Sequence, residues 1–148
     1  MTGIADGFLY RGGRLFCEEV PAADLAGRFG TPLYVYSAAS IRSRFRTISE
    51  AFGPEGALVC YSVKANGNLS VLRLLKDEGS GFDIVSGGEL TRLRRVGADF
   101  SKVVYAGVGK TADEIRAAIR AGVLLFNVES EPELAALDAL ASGLGSRA

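Results

Sequence analysis

A chain of 148 residues with 48% apolar and 23% charged side chains is long enough for one modest domain and too apolar for a disordered segment. Seventeen basic and seventeen acidic residues balance, so no overall field recruits nucleic acid or anionic lipid, and no apolar run approaches the ~20 residues that cross a bilayer. Histidine is absent, so no metal site is expected and any chemistry falls to lysine, carboxylates, hydroxyls or a cofactor.

The opening MTGIADGFLYRGG has neither a charged leader nor a long apolar stretch, from which a cytoplasmic protein is expected. Residues 8–20 read as a β-hairpin, with Phe8-Leu9-Tyr10 and Leu15-Phe16-Cys17 turning at Gly12-Gly13. Residues 21–29 read as a short helix with proline at its start and Gly30 past its end. Thr31-Pro32-Leu33-Tyr34-Val35-Tyr36 is β-rich. Ser37 or Ser40 then caps a helix on which Ile41, Phe45, Ile48 and Phe52 recur at helical spacing, and Gly53-Pro54 stops it. Cys17 and Cys60 lack a CxxC spacing and read as reduced thiols. The arginine clusters at 42–46 and 92–95 read as solvated helix faces.

From residue 57 the chain repeats a unit of apolar strand, polar loop and amphipathic helix. The strands fall at 57–63, 81–85, 102–106 and 123–128, and the helices at 68–77, 87–95, 111–121 and 131–142. This α/β alternation implies a parallel sheet buried on both faces. It fits a (β/α)₈ barrel and a doubly wound sheet equally well. A barrel takes about 250 residues and eight strands, so with four β/α units visible that reading expects this chain to be part of a longer protein.

Four motifs sit at strand ends, where such folds place their chemistry. Tyr61-Ser62-Val63-Lys64-Ala65-Asn66 ends an apolar run on a lysine, and an ammonium buried there must snorkel, pair or lose its charge. A neutral lysine amine condenses with an aldehyde, and its commonest use is a Schiff base to pyridoxal phosphate. In Phe82-Asp83-Ile84-Val85-Ser86-Gly87-Gly88-Glu89, Asp83 interrupts an apolar strand and needs a partner: the Lys64 amine or a cofactor on it, or equally a salt bridge or cap elsewhere. The Ser-Gly-Gly-Glu step suits an anion or simply a helix start. Val104 stands where a phosphate-binding loop ending in Gly109-Lys110-Thr111 requires glycine, so Lys110 reads as a loop lysine at the same end of the sheet. Asn127 and Glu129 alternate with apolar residues and either face the site or, for Glu129, pair with a nearby arginine.

YSVKAN, FDIVSGGEL, YAGVGKT and FNVES, in this order, together with TPLYVYS and the opening hairpin, resemble the amino-terminal part of the diaminopimelate decarboxylase family of fold-type III pyridoxal-phosphate enzymes. The resemblance implies an alanine-racemase-like (β/α)₈ TIM barrel. Residues 36–148 supply its first half, about four units, and residues 1–35 feed a second, β-rich domain. It implies pyridoxal 5'-phosphate as cofactor, held at Lys64 and, near it, Asp83. The implied activity is decarboxylation of meso-2,6-diaminopimelate to L-lysine, a lyase step of lysine biosynthesis, by a homodimeric full-length enzyme without nucleic-acid or membrane partners. The ring-stacking histidine, the glycine-rich phosphate site, the glutamate facing the pyridine nitrogen and the cysteine-glutamate segment of that family have no counterpart here and would lie beyond Ala148. Residues 1–148 alone are therefore expected to be inactive. The alternatives are another decarboxylase of this type acting on ornithine or arginine, a non-catalytic cofactor-binding relative, and a nucleotide binder.

Overall fold

The computed structural model describes residues 3–5, 7–53 and 56–147. They form two compact units, Met1–Ile48 and Ser49–Ala148.

In the first unit, β1 (Gly3–Ala5), β2 (Phe8–Arg11), β3 (Arg14–Cys17) and β4 (Val20–Pro21) form an antiparallel sheet in chain order, followed by helix α1 (Ala22–Phe29). The hairpin forms as the sequence predicts. Arg11 pairs with Arg14 across Gly12 and Gly13, whose φ angles of 55° and 76° match the tight turn that follows strand twist. β1 and β4 were not predicted, being too short to show a periodicity.

The β-rich segment 31–36 is not a strand. Pro32 has no N–H to give a ladder, no strand among the described residues pairs with the segment, and Tyr34 and Tyr36 are exposed. Helix α2 (Ala38–Ala51) then starts on Ser37, whose hydroxyl oxygen accepts from Ser40 N at 3.0 Å. It ends before Gly53, at φ 71°; Pro54, the other half of the expected stop, lies outside the described residues.

In the second unit β5 (Cys60–Ser62), β6 (Gly81–Ile84), β7 (Val103–Tyr105) and β8 (Leu125–Phe126) alternate with α3 (Leu69–Asp77), α4 (Gly87–Val96), α5 (Ala112–Ala121) and α6 (Glu131–Gly143). All strand pairs are parallel and their order is sequential, β5-β6-β7-β8. Consecutive helices pack on one another from α3 to α6. By the general right-handedness of such crossovers, a sequential order that never reverses direction places every helix on one face, which is the arrangement of a partial barrel; a doubly wound sheet reverses at a switch point.

The strands are shorter than the apolar runs that announced them. Residues 57–59 precede the paired strand, although Val59 O still accepts from Gly81 N at 3.0 Å. Phe82, Ile84, Val103 and Tyr105 are fully buried on the helix side against Leu72, Leu75, Leu90, Leu93, Ile115 and Ala118. Burial of each large side chain is worth about 1.5–3 kcal/mol. By strand alternation Ser62, Asp83, Val104 and Leu125 lie on the opposite face, which is partly open.

Candidate active site

Parallel strands bring four loops to one end of the sheet: residues 63–68, 85–86, 106–111 and 127–130. Lys64 is in the first. β5 ends at Ser62 and the chain enters a 3₁₀ turn, Val63–Ala65, that buries Val63 and exposes Lys64. The expectation of a lysine buried at a strand end is therefore corrected, because the turn carries the side chain out of the packed layer. Among the described residues no hydrogen bond or ion pair engages its amine.

The loop beneath Lys64 is fastened throughout. Asn66 Oδ1 accepts from Asn68 N at 3.0 Å, Tyr61 donates its hydroxyl to Asn66 O at 3.4 Å, and Asn68 caps α3 by accepting from Ser70 N at 2.8 Å. Arg92 of α4 donates to Gly67 O at 3.0 Å. Lys64 is thus an accessible amine on a flexible stem rising from an anchored turn.

Asp83 is half-buried and faces Ser62 across the β5–β6 register. Its partner is the Ser62 hydroxyl, which donates to Oδ2 at 3.0 Å, and no bond to Lys64 is formed. Burial, and secondarily the negative charge of Asp83, pushes the Cys60 thiol pKa up. Both cysteines are free thiols, as the sequence suggested.

The Ser-Gly-Gly-Glu step starts a helix. Ser86 Oγ accepts from Glu89 N at 3.2 Å and Glu89 Oε2 accepts from Val85 N at 2.7 Å. The amide left at this helix start is taken by an internal anion: Glu114 Oε1 accepts from Gly87 N at 2.8 Å. Glu114 Oε2 also accepts from the amide and hydroxyl of Thr111, closing a capping box at α5. These bonds, that from Gly87 first, hold the Glu114 carboxyl below its usual range. Tyr105 is buried beside it, its hydroxyl completing no hydrogen bond among the described residues; desolvation above all, with Glu114 and Glu89 adding, pushes its pKa up.

Lys110 is engaged within the protein. Its side chain is 2% exposed and its ammonium donates to Gly107 O at 2.7 Å, Asn127 O at 2.8 Å and Glu133 Oε1 at 2.6 Å. Three donors meet three acceptors, leaving none for a nucleotide. Glu133 Oε2 accepts from Glu129 N at 2.9 Å, while the Glu129 and Asn127 residues are exposed and Glu129 has no arginine partner among the described residues.

Sequence reasoning missed Ser62, Glu114 and Glu133. The Thr111-x-x-Glu114 spacing signals a capping box, but nothing local reveals that the same carboxylate reaches Gly87. Ser62 becomes visible only once the register is known.

Residues 38–146 match the family described as the pyridoxal-dependent decarboxylase, pyridoxal binding domain, and the chain belongs to this family. It is 51% identical over 144 residues to a diaminopimelate decarboxylase of Pseudomonas fluorescens, covering 97% of this chain and 35% of the relative. With that of Vibrio cholerae it is 52% identical over 136 residues, covering 92% and 33%. The crystal structure of diaminopimelate decarboxylase from M. jannaschii superposes with a TM-score of 0.90 at 37% identity, over 97% of this chain and 34% of that one. A lysine/ornithine decarboxylase from Vibrio vulnificus gives 0.74 at 25% identity, over 81% and 32%. The chain thus spans about a third of the length of the curated relatives it matches.

Proposed function

We propose that the complete protein decarboxylates meso-2,6-diaminopimelate to L-lysine with pyridoxal 5'-phosphate held at Lys64. The observation that carries this reading is the accessible, unengaged Lys64 amine on an anchored turn at the carboxyl end of a parallel sheet. The donor set fits the aldehyde end of the cofactor, since a primary amine free of an ion pair is what condensation requires. The phosphate end fits neither Gly87, whose amide Glu114 occupies, nor Lys110, whose ammonium is saturated. Its cradle would come from elsewhere in the complete enzyme.

When bound, the cofactor supplies an electron sink for the bond that breaks. Lys64 would hold it covalently and release it when the substrate amine takes its place. Asp83, fixed by Ser62 on the open face of the sheet, would place negative charge beside that mouth and favour a cationic group there. The fastened 63–68 loop would keep Lys64 in register with the strand while its stem swings.

Residues 36–148 would form the first half of the barrel and residues 1–35 part of a β-rich domain, in a cytoplasmic homodimer that engages neither nucleic acid nor membrane. Among the described residues no helix is long and apolar enough to cross a membrane. An ornithine or arginine decarboxylase is the second reading, and the greater likeness to diaminopimelate enzymes weighs against it.

Borohydride reduction of the full-length enzyme followed by peptide mapping tests the cofactor lysine, and carbon dioxide release from diaminopimelate, ornithine and arginine tests the substrate. A pyridoxyl group on Lys64 and turnover of diaminopimelate alone are expected. A label on Lys76, Lys102 or Lys110 would overturn the lysine assignment, and preferential turnover of ornithine or arginine the substrate.

A further inference from the structure

We propose that Ser62 is a positioning residue whose hydroxyl fixes the Asp83 carboxylate on the open face of the sheet. The inference rests on the reading of Lys64 and Asp83 as cofactor-binding residues and deepens it.

Ser62 and Asp83 are directly paired in the parallel register, so their side chains leave the sheet on the same face. That face is opposite the buried Phe82, Ile84, Val103 and Tyr105. Asp83 is registered on its other side with Val104, which has no side-chain donor, and Gly81 preceding it on that face has no side chain. Among the described residues Ser62 Oγ is the side chain that donates to Asp83, at 3.0 Å to Oδ2. A hydroxyl has a single proton to give. Given to Oδ2, it restricts the rotation of the carboxylate, and among the described residues Oδ1 has no partner. Ser62 stands two residues before Lys64 and closes the strand from which the Lys64 turn rises, so the oriented carboxylate lies at the same end of the sheet as that turn. Filling space would need only a small side chain; fixing Asp83 needs a hydroxyl.

The test uses the complete enzyme with Ser62→Ala, Ser62→Thr, Asp83→Ala and the Ser62→Ala/Asp83→Ala double variant. Two quantities are read: the equilibrium constant for rebinding pyridoxal phosphate to cofactor-free enzyme, and the Asp83 side-chain conformation in crystals of that cofactor-free form. Ser62→Ala is expected to weaken rebinding about tenfold, the order for a charge-assisted hydrogen bond, and to release the Asp83 carboxylate from its single conformation. Ser62→Thr, which keeps the hydroxyl, should return rebinding to within about twofold of wild type, and Ser62→Ala should add almost nothing when Asp83 is already alanine.

An Asp83 carboxylate in the same place without the Ser62 hydroxyl would overturn the proposal, as would effects of Ser62→Ala and Asp83→Ala that simply multiply. A wild-type enzyme that takes its reduced label at Lys64 while Ser62→Ala rebinds cofactor normally would defeat Ser62 alone. A wild-type label on another lysine would defeat the parent reading, and the Asp83 conformation would still decide what Ser62 does.

Discussion

Lys110 and Glu133 form an ion pair 2.6 Å long in which the lysine side chain is 2% exposed and the glutamate 14%, joining the loop after β7 to the first turn of α6. The same ammonium holds Gly107 O and Asn127 O, so one buried charge ties two loops at the candidate mouth. Its attraction to Glu133 offsets a desolvation cost that neither residue could meet alone.

Lys110→Met should therefore destabilise the protein by about 3–5 kcal/mol, because it leaves the largely buried Glu133 carboxylate with only the Glu129 amide and no counter-charge, and removes the ammonium from two carbonyls. Lys110→Arg should cost less, keeping the charge but changing the donor geometry. Urea unfolding of each variant at neutral pH checks the order. A Lys110→Met protein as stable as wild type would show that water reaches the pair.

Gly81→Ala tests the packing between β5, β6 and β7. A methyl group at Gly81 would sit 2.6 Å from Lys102 O and 2.7 Å from Cys60 Sγ, and the first of these is backbone that cannot rotate away. Strand separation would have to increase, at a cost of about 1–3 kcal/mol. Adding Cys60→Ala should recover only part of it, since the carbonyl clash remains. Denaturant midpoints of the single and double variants measure the division.

Glu18 performs two tasks in the first unit. It sits at φ 54°, and its carboxylate accepts from Ser37 Oγ at 2.8 Å and Ala39 N at 2.9 Å at the start of α2. Glu18→Ala should lose the cap, worth about 1 kcal/mol, while retaining the unfavourable backbone angle. Glu18→Gly should lose the cap but relieve the angle, and so be the more stable of the two. Faster hydrogen exchange at Ala39, the amide that Glu18 holds, in both variants would report the missing cap.

How far the sequence reaches depends on whether a feature is written locally. The four β/α units are legible because apolar runs and helical periodicity are local, and the Gly12-Gly13 turn because glycine alone occupies two successive positive φ angles easily. The partial barrel is legible only as one of two folds, since strand order is a property of the assembled sheet. Thr31–Tyr36 misled because β-branched and aromatic residues announce a strand without supplying its partner. At the site, the environment expected for Lys64 was misjudged because the strand stops at Ser62, inside the apolar run, and a turn follows before the lysine. The partners of Asp83, Gly87 and Lys110 come from 21 to 27 residues away for three of the contacts, and no local pattern encodes them.

The 148-residue chain on its own should self-associate. Leu124 just before β8, Leu125 on it and Val128 after it are exposed on the end strand of the parallel sheet, and Leu134 on the following helix α6 is exposed as well. Unpaired strand edges flanked by exposed apolar side chains favour pairing with another chain. Light scattering across a concentration series should show mass rising above the monomer value of 15.6 kDa. Leu125→Lys should reduce the association by placing a charge on the edge. A concentration-independent monomer would show that this edge is protected in solution.

Acid should loosen the loops before it disrupts the core. Glu114, Glu133 and Glu18 all have carboxyl pKa values lowered from 4.5, chiefly by the Gly87 amide, by Lys110 and by the Ala39 amide respectively. A carboxyl group with a folded pKa below its unfolded value contributes stability that is fully present above the unfolded value. That contribution declines as pH falls below about 4.5 and is gone once pH passes the lowered folded value. Stability should therefore be flat near neutrality with respect to these groups and fall below pH 4.5, where hydrogen exchange at the Gly87, Thr111, Glu129 and Ala39 amides should accelerate relative to that of the β6 and β7 amides. Glu114→Gln should flatten the acid limb partly, because it removes one titrating group while keeping an acceptor for Gly87. An acid limb unchanged in Glu114→Gln, Glu133→Gln and Glu18→Gln together would assign the loss of stability to other carboxylates.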